Sequence, residues 1–399
     1  MSPSASPLEA PPLDAAQRTR TIQRLVIAGG GTGGHLMPGL AVAEAALERF
    51  PGIEITFFRT QRAVEERVIA SAPGGLDLRS VALPIPGRTP WSLWRFARRC
   101  RAAARQIGAT LRTMQPNAVI ALGGYPSLPA ILAARRERIP LVLLEQNSAP
   151  GKVVRLFARW ARGIACPDDR CAASFDRASR AGTVVAATGN PVRRRILAAR
   201  EARQNHRGAA AMEATKTRRR ILVVGGSQGS HSINCAVEQA LPHLEELRDA
   251  IEWIHVAGSQ DCDAVREIYR RGGWAARVFD FTLDLPELMA DASLVIGRSG
   301  GTTVAEIAAI GVPSILIPYP HHRDQHQLHN ARALVDAGAG ALVTESELEP
   351  GQFARLIRRI LQETGRLEAM EEVAAARGRP DAAQRVLDLV LRTAKGVSR

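Results

Sequence analysis

Short, unbroken apolar runs recur along the chain, each closed by glycines or a polar cluster. The runs Arg24 to Ala28, Ile53 to Phe58, Val119 to Leu122, Leu141 to Leu144, Ile221 to Val224, Glu252 to Ala257, Leu294 to Ile296 and Pro313 to Pro318 have the length of strands. Several lack any apolar-polar alternation, which marks strands covered on both faces, as in a parallel sheet. Gly29 to His35 forms a glycine-rich turn that predicts a helix from near Pro38, and Gly225 to Ser230 forms a second that predicts a helix from about Ile233. A third turn, Gly297 to Gly301, opens a helix whose first turn holds Thr302 and Thr303. The unit of strand, glycine turn and helix thus begins twice. This predicts an α/β chain of two Rossmann-like domains, with parallel sheets facing across a cleft.

The same pattern divides the chain. Residues 1–21, rich in Pro, Ala and Ser, read as a disordered tail and not as a signal peptide. Residues 22–190 form the first domain, and 191–220 a linker whose polar, basic stretch from His206 to Arg220 reads as an inserted flexible connection. Residues 221–375 form the second domain. The remainder, 376–399, reads as a C-terminal helix that packs back on the first domain.

Charge narrows the partners. Lys and Arg number 53 against 39 Asp and Glu, a net +14 that calls for an anionic partner: nucleic acid, lipid headgroups or a phosphorylated substrate. The five cysteines include no CxxC pair, which fits a reducing cytoplasm better than a disulfide framework. Apolar runs long enough to span a bilayer are absent from the sequence, so any membrane contact is expected to be peripheral. The stretch Ile85 to Arg105 sets Trp91, Trp94 and Phe96 among six arginines, a pattern suited to an anionic membrane surface. Its alternative is an amphipathic helix with the aromatics in the core.

The candidate chemistry sits at strand ends. Gly29, Gly31 and Gly34 also fit a dinucleotide fingerprint, and Arg59 at the end of the second strand keeps an NADP-dependent oxidoreductase open. A basic nucleic-acid-binding module is the third reading. His35, directly after the first cradle, is a proton-transfer candidate beside a phosphate site. The helix N-terminus at Thr302 and Thr303 suits a diphosphate, and Glu306 one turn on suits a ribose diol. The loop from His321 to Gln327 is dense in groups that bond sugar hydroxyls. Asp261-Cys262-Asp263 spells D-x-D, but its place before a helix favours a cap over a metal site. His322, His326 and His329 suit hydroxyl recognition as well as metal, and no metal or cofactor is expected.

Taken in order, GGGTGGHLMPG, GGYPSLP, LEQN, GNPVR, GGSQGS and RSGGTTVAEIAAIGVPSILIPYP with DQHQ closely resemble the MurG family of cell-wall N-acetylglucosaminyltransferases, over roughly residues 22 to 395. The resemblance implies the GT-B architecture and inverting transfer of GlcNAc from UDP-GlcNAc to the C4 hydroxyl of the muramoyl sugar of lipid I, giving lipid II at the cytoplasmic face of the plasma membrane. It places the acceptor on the first domain and the donor mainly on the second. It further implies an acceptor cradle at Thr32, Gly33 and Gly34, with substrate contacts from Asn147, Arg193 and Ser227. Gly301, Thr302, Thr303 and Glu306 match the donor loop, and Gln327 the glutamine on the donor sugar. Two departures stand out. His326 replaces a second glutamine, and the HHRDQ portion is one residue longer than in some members, which leaves Gln325 and Gln327 as alternatives for the sugar contact. For the base that takes the acceptor proton, His35 has the more suitable ordinary pKa, with Glu145 in reserve.

Overall fold

The computed structural model describes residues 21–394 except 32, 71, 88, 211–217, 227–228 and 323. These residues form two compact units, one running to Arg193 and resuming at Arg379, the other from Arg194 to Gly378.

The first unit is built on a seven-stranded sheet in the order β3-β2-β1-β4-β5-β6-β7. Its strands are β1 (Arg24–Ala28), β2 (Glu54–Arg59), β3 (Leu76–Ser80), β4 (Ala118–Ala121), β5 (Leu141–Leu144), β6 (Gly163–Cys166) and β7 (Val184–Ala187). Every pairing is parallel. The unbroken apolar runs have a direct cause. Leu25, Ile27, Ile120 and Val142 face one helical layer, while Val26, Val119, Leu141 and Leu143 face another, so neither face of the central strands meets water.

The second unit repeats the plan with six parallel strands in the order β10-β9-β8-β11-β12-β13. These are β8 (Arg219–Val224), β9 (Ile251–Val256), β10 (Ala275–Phe279), β11 (Leu294–Gly297), β12 (Ser314–Leu316) and β13 (Gly340–Leu342). In each sheet the strand order reverses once, between β1 and β4 and between β8 and β11. Connections leave such neighbouring strands in opposite directions, so a crevice opens at their C-terminal ends. The glycine turns of the sequence lie at these two points.

Several elements differ from the sequence expectation. The helix expected near Pro38 begins at Gly33 and runs to Arg49 with Pro38 inside it, so the cradle glycines form its first turn. Strands β3 and β10 carry no unbroken apolar run because they lie at sheet edges and stay partly exposed, and β13 is only three residues long. Strands β6 and β7 are four residues each, built on Gly and Ala or two valines, too short to stand out. Helix Arg194–Ala210 extends into the stretch from His206 that reads as a flexible connection. Its arginines hold it within the second unit: Arg200 donates to Ala309 O at 2.7 Å, and Arg203 pairs with Glu371 at 2.7 Å.

The last described helix, Ala382–Thr393, belongs to the first unit. Val386, Leu387 and Val390 are buried among Leu40, Ala43 and Ala46 of helix Gly33–Arg49, and Arg49 pairs with Asp388 at 2.7 Å. Gly163 of β6 leaves room for the same helix, since a Cβ there would come within 3.0 Å of Leu389 Cγ. Removing the buried Leu387 side chain leaves a cavity under the cradle helix. Leu387→Ala should cost about 2–5 kcal/mol in urea unfolding; a loss below about 1 kcal/mol would show that the terminal helix is only loosely docked.

Candidate active site

At the first switch point, β1 delivers Gly29, Gly30 and Gly31 into the turn before helix Gly33–Arg49. Gly30 and Gly31 sit at φ of 152° and 91°, and the space around Gly30 is filled by Glu65, whose Oε1 would lie 2.6 Å from a Cβ there. Glu65 is fully buried. Its Oε1 accepts from the Gly31 N–H and the Thr60 hydroxyl, while its Oε2 has no hydrogen-bond partner among the described residues. Arg62 spans the turn from outside, donating to Gly31 O at 2.7 Å and to the Tyr125 hydroxyl. Thr32 lies outside the described residues. Gly33 starts the helix and Gly34 is exposed.

His35 stands one residue further, half-buried, beside the turn that leaves β4. Gly123 and Gly124 there have φ of 74° and 65°, and a Cβ on Gly124 would lie 3.5 Å from His35 Nε2. The imidazole thus rests against backbone that only glycine can shape this way.

Glu145 has a different environment. It is 2% exposed at the end of β5, and burial pushes its carboxyl pKa up, against hydrogen bonds that pull it down. Oε1 accepts from the N–H groups of Gln146 and Asn147 at 2.9 Å each and from Asn147 Nδ2 at 3.1 Å; Oε2 accepts from the Gly151 N–H at 2.8 Å. Both oxygens are occupied in tying the loop 145–151 to itself. This arrangement suits a scaffold better than a base, and it fixes Asn147. Arg193, 6% exposed, is the last residue of the first unit before helix Arg194–Ala210.

At the second switch point, Gly300 caps helix Gly301–Ile310 in extended conformation with no side-chain cap, so the positive end of the helix at Gly301, Thr302 and Thr303 opens toward the crevice. Thr302 and Glu306 are nearly buried, at 8% and 9%. The loop in front is held by Arg298, which sequence reasoning passed over. Its Nη2 donates to the hydroxyls of Ser230 at 2.8 Å and Ser232 at 3.0 Å and pairs with Glu345; its Nη1 donates to Ile317 O at 3.2 Å, and its guanidinium lies 5.4 Å from the Tyr319 ring. One cation so joins the ends of β8, β11, β12 and β13. Its place directly after an apolar strand was the only sequence signal, and Glu345 carried none.

The loop between β12 and helix His326–Val335 is ordered by Gln327. Its Oε1 accepts from the Tyr319 N–H at 3.0 Å, its carbonyl accepts from Ser299 Oγ at 2.8 Å, and Asn330 Nδ2 donates to Ser299 O at 3.1 Å. With its oxygen engaged, the Gln327 amide keeps its NH₂ as a donor. Gln325 is exposed and left-handed at φ 44°. His326 pairs with Asp324 at 2.8 Å and packs edge-on to His322. Ser227 lies outside the described residues. Gly229, at φ 78°, would bring a Cβ to 2.3 Å from Ala257 O, so the second cradle packs directly on the end of β9.

The D-x-D pair does something other than expected. Asp261 holds the N-cap position of helix Cys262–Arg271 without capping it; its Oδ2 accepts from Asn234 Nδ2 at 2.8 Å and meets His231 Nδ1 at 3.0 Å, while Asp263 pairs with Arg266. Asn234 also donates to Ala257 O at 3.0 Å, so its Oδ1 faces His255 Nε2 as an acceptor at 3.0 Å. That requires a proton on His255 Nε2, and Tyr269 completes the chain at Nδ1, 3.1 Å away. Groups of three or more metal-ligating side chains are absent among the described residues.

Against known proteins, the chain matches the Glycosyltransferase family 28 N-terminal domain over residues 25–166 and the family 28 C-terminal domain over residues 220–386. The UDP-N-acetylglucosamine--N-acetylmuramyl-(pentapeptide) pyrophosphoryl-undecaprenol N-acetylglucosamine transferase of Anaeromyxobacter sp. is 37% identical, covering 92% of each chain. That of Syntrophotalea carbinolica is 38% identical over 91% of this chain and 97% of its own. In three dimensions, the Acinetobacter baumannii MurG crystal structure matches 93% of this chain and 99% of its own with a TM-score of 0.70 at 25% identity. A UDP-GlcNAc 2-epimerase from Neisseria meningitidis matches at TM-score 0.66 and 15% identity over 92% of this chain and all of its own, a likeness of fold.

Burial pushes the His255 pKa down to about 4 from an ordinary 6.5. Below pH 6.5 the unfolded chain binds a proton that the folded one refuses, so the stability present above pH 6.5 is lost as pH falls toward 4. Between pH 7 and 5 the loss from this group should be about 2 kcal/mol. Urea titrations of the wild type and His255→Gln measure it; an equal pH dependence in both would exclude His255 as the source.

Proposed function

The chain belongs to glycosyltransferase family 28, and from that premise we propose that it transfers GlcNAc from UDP-GlcNAc to the muramoyl C4 hydroxyl of lipid I, with inversion, forming lipid II. The observation that carries this is the 37% identity over 92% of the chain to enzymes named for that transfer, joined to a switch-point loop built to receive a diphosphate. The NADP reading loses its support, because the Arg59 guanidinium is engaged by Glu66 at 2.6 Å.

The chemistry divides between the units. Departure of UDP builds negative charge on its phosphates, and the positive end of helix Gly301–Ile310 is aimed at such charge before the reaction begins. Glu306, one turn on, takes the ribose diol, and the Gln327 amide takes the donor sugar. Arg193 and Ser227 add phosphate and nucleotide contacts. In the first unit, the turn at residues 32–34 cradles the acceptor with Asn147, and His35 removes the proton from the attacking hydroxyl as the bond to the sugar forms. Glu145 acts through the loop it anchors, as a positioning residue.

The acceptor's polyprenyl chain stays in the bilayer, and helix Pro90–Met114 is our candidate for meeting it. Its buried positions begin only at Cys100. Before that point Trp91 and Trp94 stack at 5.0 Å while 66% and 51% exposed, with Ile85 at 68% and Leu93 at 49%. The alternative of core aromatics therefore fails for these two. Phe96 departs from the expectation: it turns inward, edge-on to Tyr125 at 6.0 Å. Arg62, Arg95, Arg98 and Arg99 line a cavity of about 670 Å³ with both tryptophans, and Arg62 joins it to the acceptor turn. We assign the net positive charge to an anionic membrane, with the enzyme peripheral at its cytoplasmic face and no nucleic-acid partner. None of the described helices is long and apolar enough to cross a membrane.

His35→Ala should lower kcat on the order of 10²-fold or more while UDP-GlcNAc binds as before. Near-full turnover with a lipid I analogue would remove His35 as the base. For the membrane face, the protein should sediment with anionic and not neutral vesicles, less so at high salt. Trp91→Ser with Trp94→Ser should reduce sedimentation and spare UDP binding; unchanged sedimentation would place the contact elsewhere.

A further inference from the structure

A second basic cavity lies in the first unit at the opposite edge of the sheet from the acceptor turn. It borders the N-terminal ends of three strands: Leu141 opens β5, Arg162 precedes β6 and Val184 opens β7. Its volume is about 550 Å³, and Arg135, Arg138, Arg162 and Arg392 line it together with Trp160 and Thr393. None of the four arginines has a carboxylate partner within ion-pair distance among the described residues. The nearby Glu137 is engaged by Arg112 at 2.6 Å instead.

Two helix C-termini explain part of this charge, because helices Leu128–Arg136 and Ala382–Thr393 end here and each carries about half a negative charge. Four guanidinium groups against that still leave about +3. Arg138 adds a conformational cost, holding φ 55° in the left-handed region where glycine is the usual cap. The Nε of Arg392 is buried with no acceptor, although buried guanidinium nitrogens are normally hydrogen-bonded. Trp160 offers a flat face already flanked by Arg135 at 5.9 Å and Arg159 at 5.8 Å.

We propose that this cavity is a binding site for a multivalent phosphate, separate from both substrate sites. Guanidinium forks match phosphate oxygens two at a time, and several converging on one cavity without an internal counter-ion suit a di- or polyphosphate, free or as a lipid headgroup.

The test is calorimetric titration of inorganic pyrophosphate into the full chain with UDP saturating the donor loop. Binding should persist under UDP, and Arg138→Gln with Arg392→Gln should weaken it on the order of 10-fold or more while leaving UDP affinity unchanged. Vesicles containing phosphatidylglycerol, added in the Trp91→Ser and Trp94→Ser background, identify the source: displacement of pyrophosphate assigns a lipid headgroup, and failure to displace it assigns a soluble phosphate. Absence of pyrophosphate binding under UDP overturns the proposal, as does binding that the double substitution leaves unchanged. Should that variant fail to fold, Arg162→Gln at an exposed position should weaken binding several-fold, and no change there overturns the proposal equally.

Discussion

Parallel pairing governs this molecule. Each strand must be succeeded by a crossover that returns the chain to the same end of the sheet, so every strand exits at one edge and covering helices bury both faces. At the β1/β4 and β8/β11 boundaries the exits diverge, and the chain leaving those strands must turn tightly into helix N-termini. Glycine at 30, 31, 123 and 124 answers that demand in one unit, and glycine at 226 and 229 in the other. The positive ends of helices then collect where a ligand's phosphates can reach them.

Buried charge does the rest of the positioning. Arg298 is the clearest case: with Ser230, Ser232, Ile317 O and Glu345 as partners, it holds four strand ends in one arrangement. Glu145 serves the same purpose with opposite sign, collecting three backbone N–H groups into one loop. A carboxylate with both oxygens engaged by its own loop has no lone pair directed at an acceptor hydroxyl, although burial raises its pKa. Its place at a strand end is compatible with a reserve base, and its hydrogen bonds supply the reason to prefer His35.

The arginine excess separates by environment. Arg49, Arg200 and Arg203 fasten helices within their own units. Arg95, Arg98 and Arg99 surround exposed tryptophans, and Arg135, Arg138, Arg162 and Arg392 gather around a cavity without acids. A single net charge therefore covers three uses, which no count could separate.

The local pattern of the chain was enough to determine the central strands, the three glycine turns and the helix at Gly301, because double-sided burial demands unbroken apolar runs and sharp turns demand glycine. Ordered motifs then indicated the family. Edge strands such as β3 and β10 escaped notice because partial exposure erases their pattern. Only the tertiary structure decided which of the paired possibilities held at particular residues. Trp91 and Trp94 project because the helix meets the core only from Cys100 onward, while Phe96 finds Tyr125 beside it. Asp261 leaves its helix uncapped to hold Asn234, and Glu345 finds Arg298 across 47 residues. Such pairings arise from strands brought side by side by the sheet, and no local spacing encodes them.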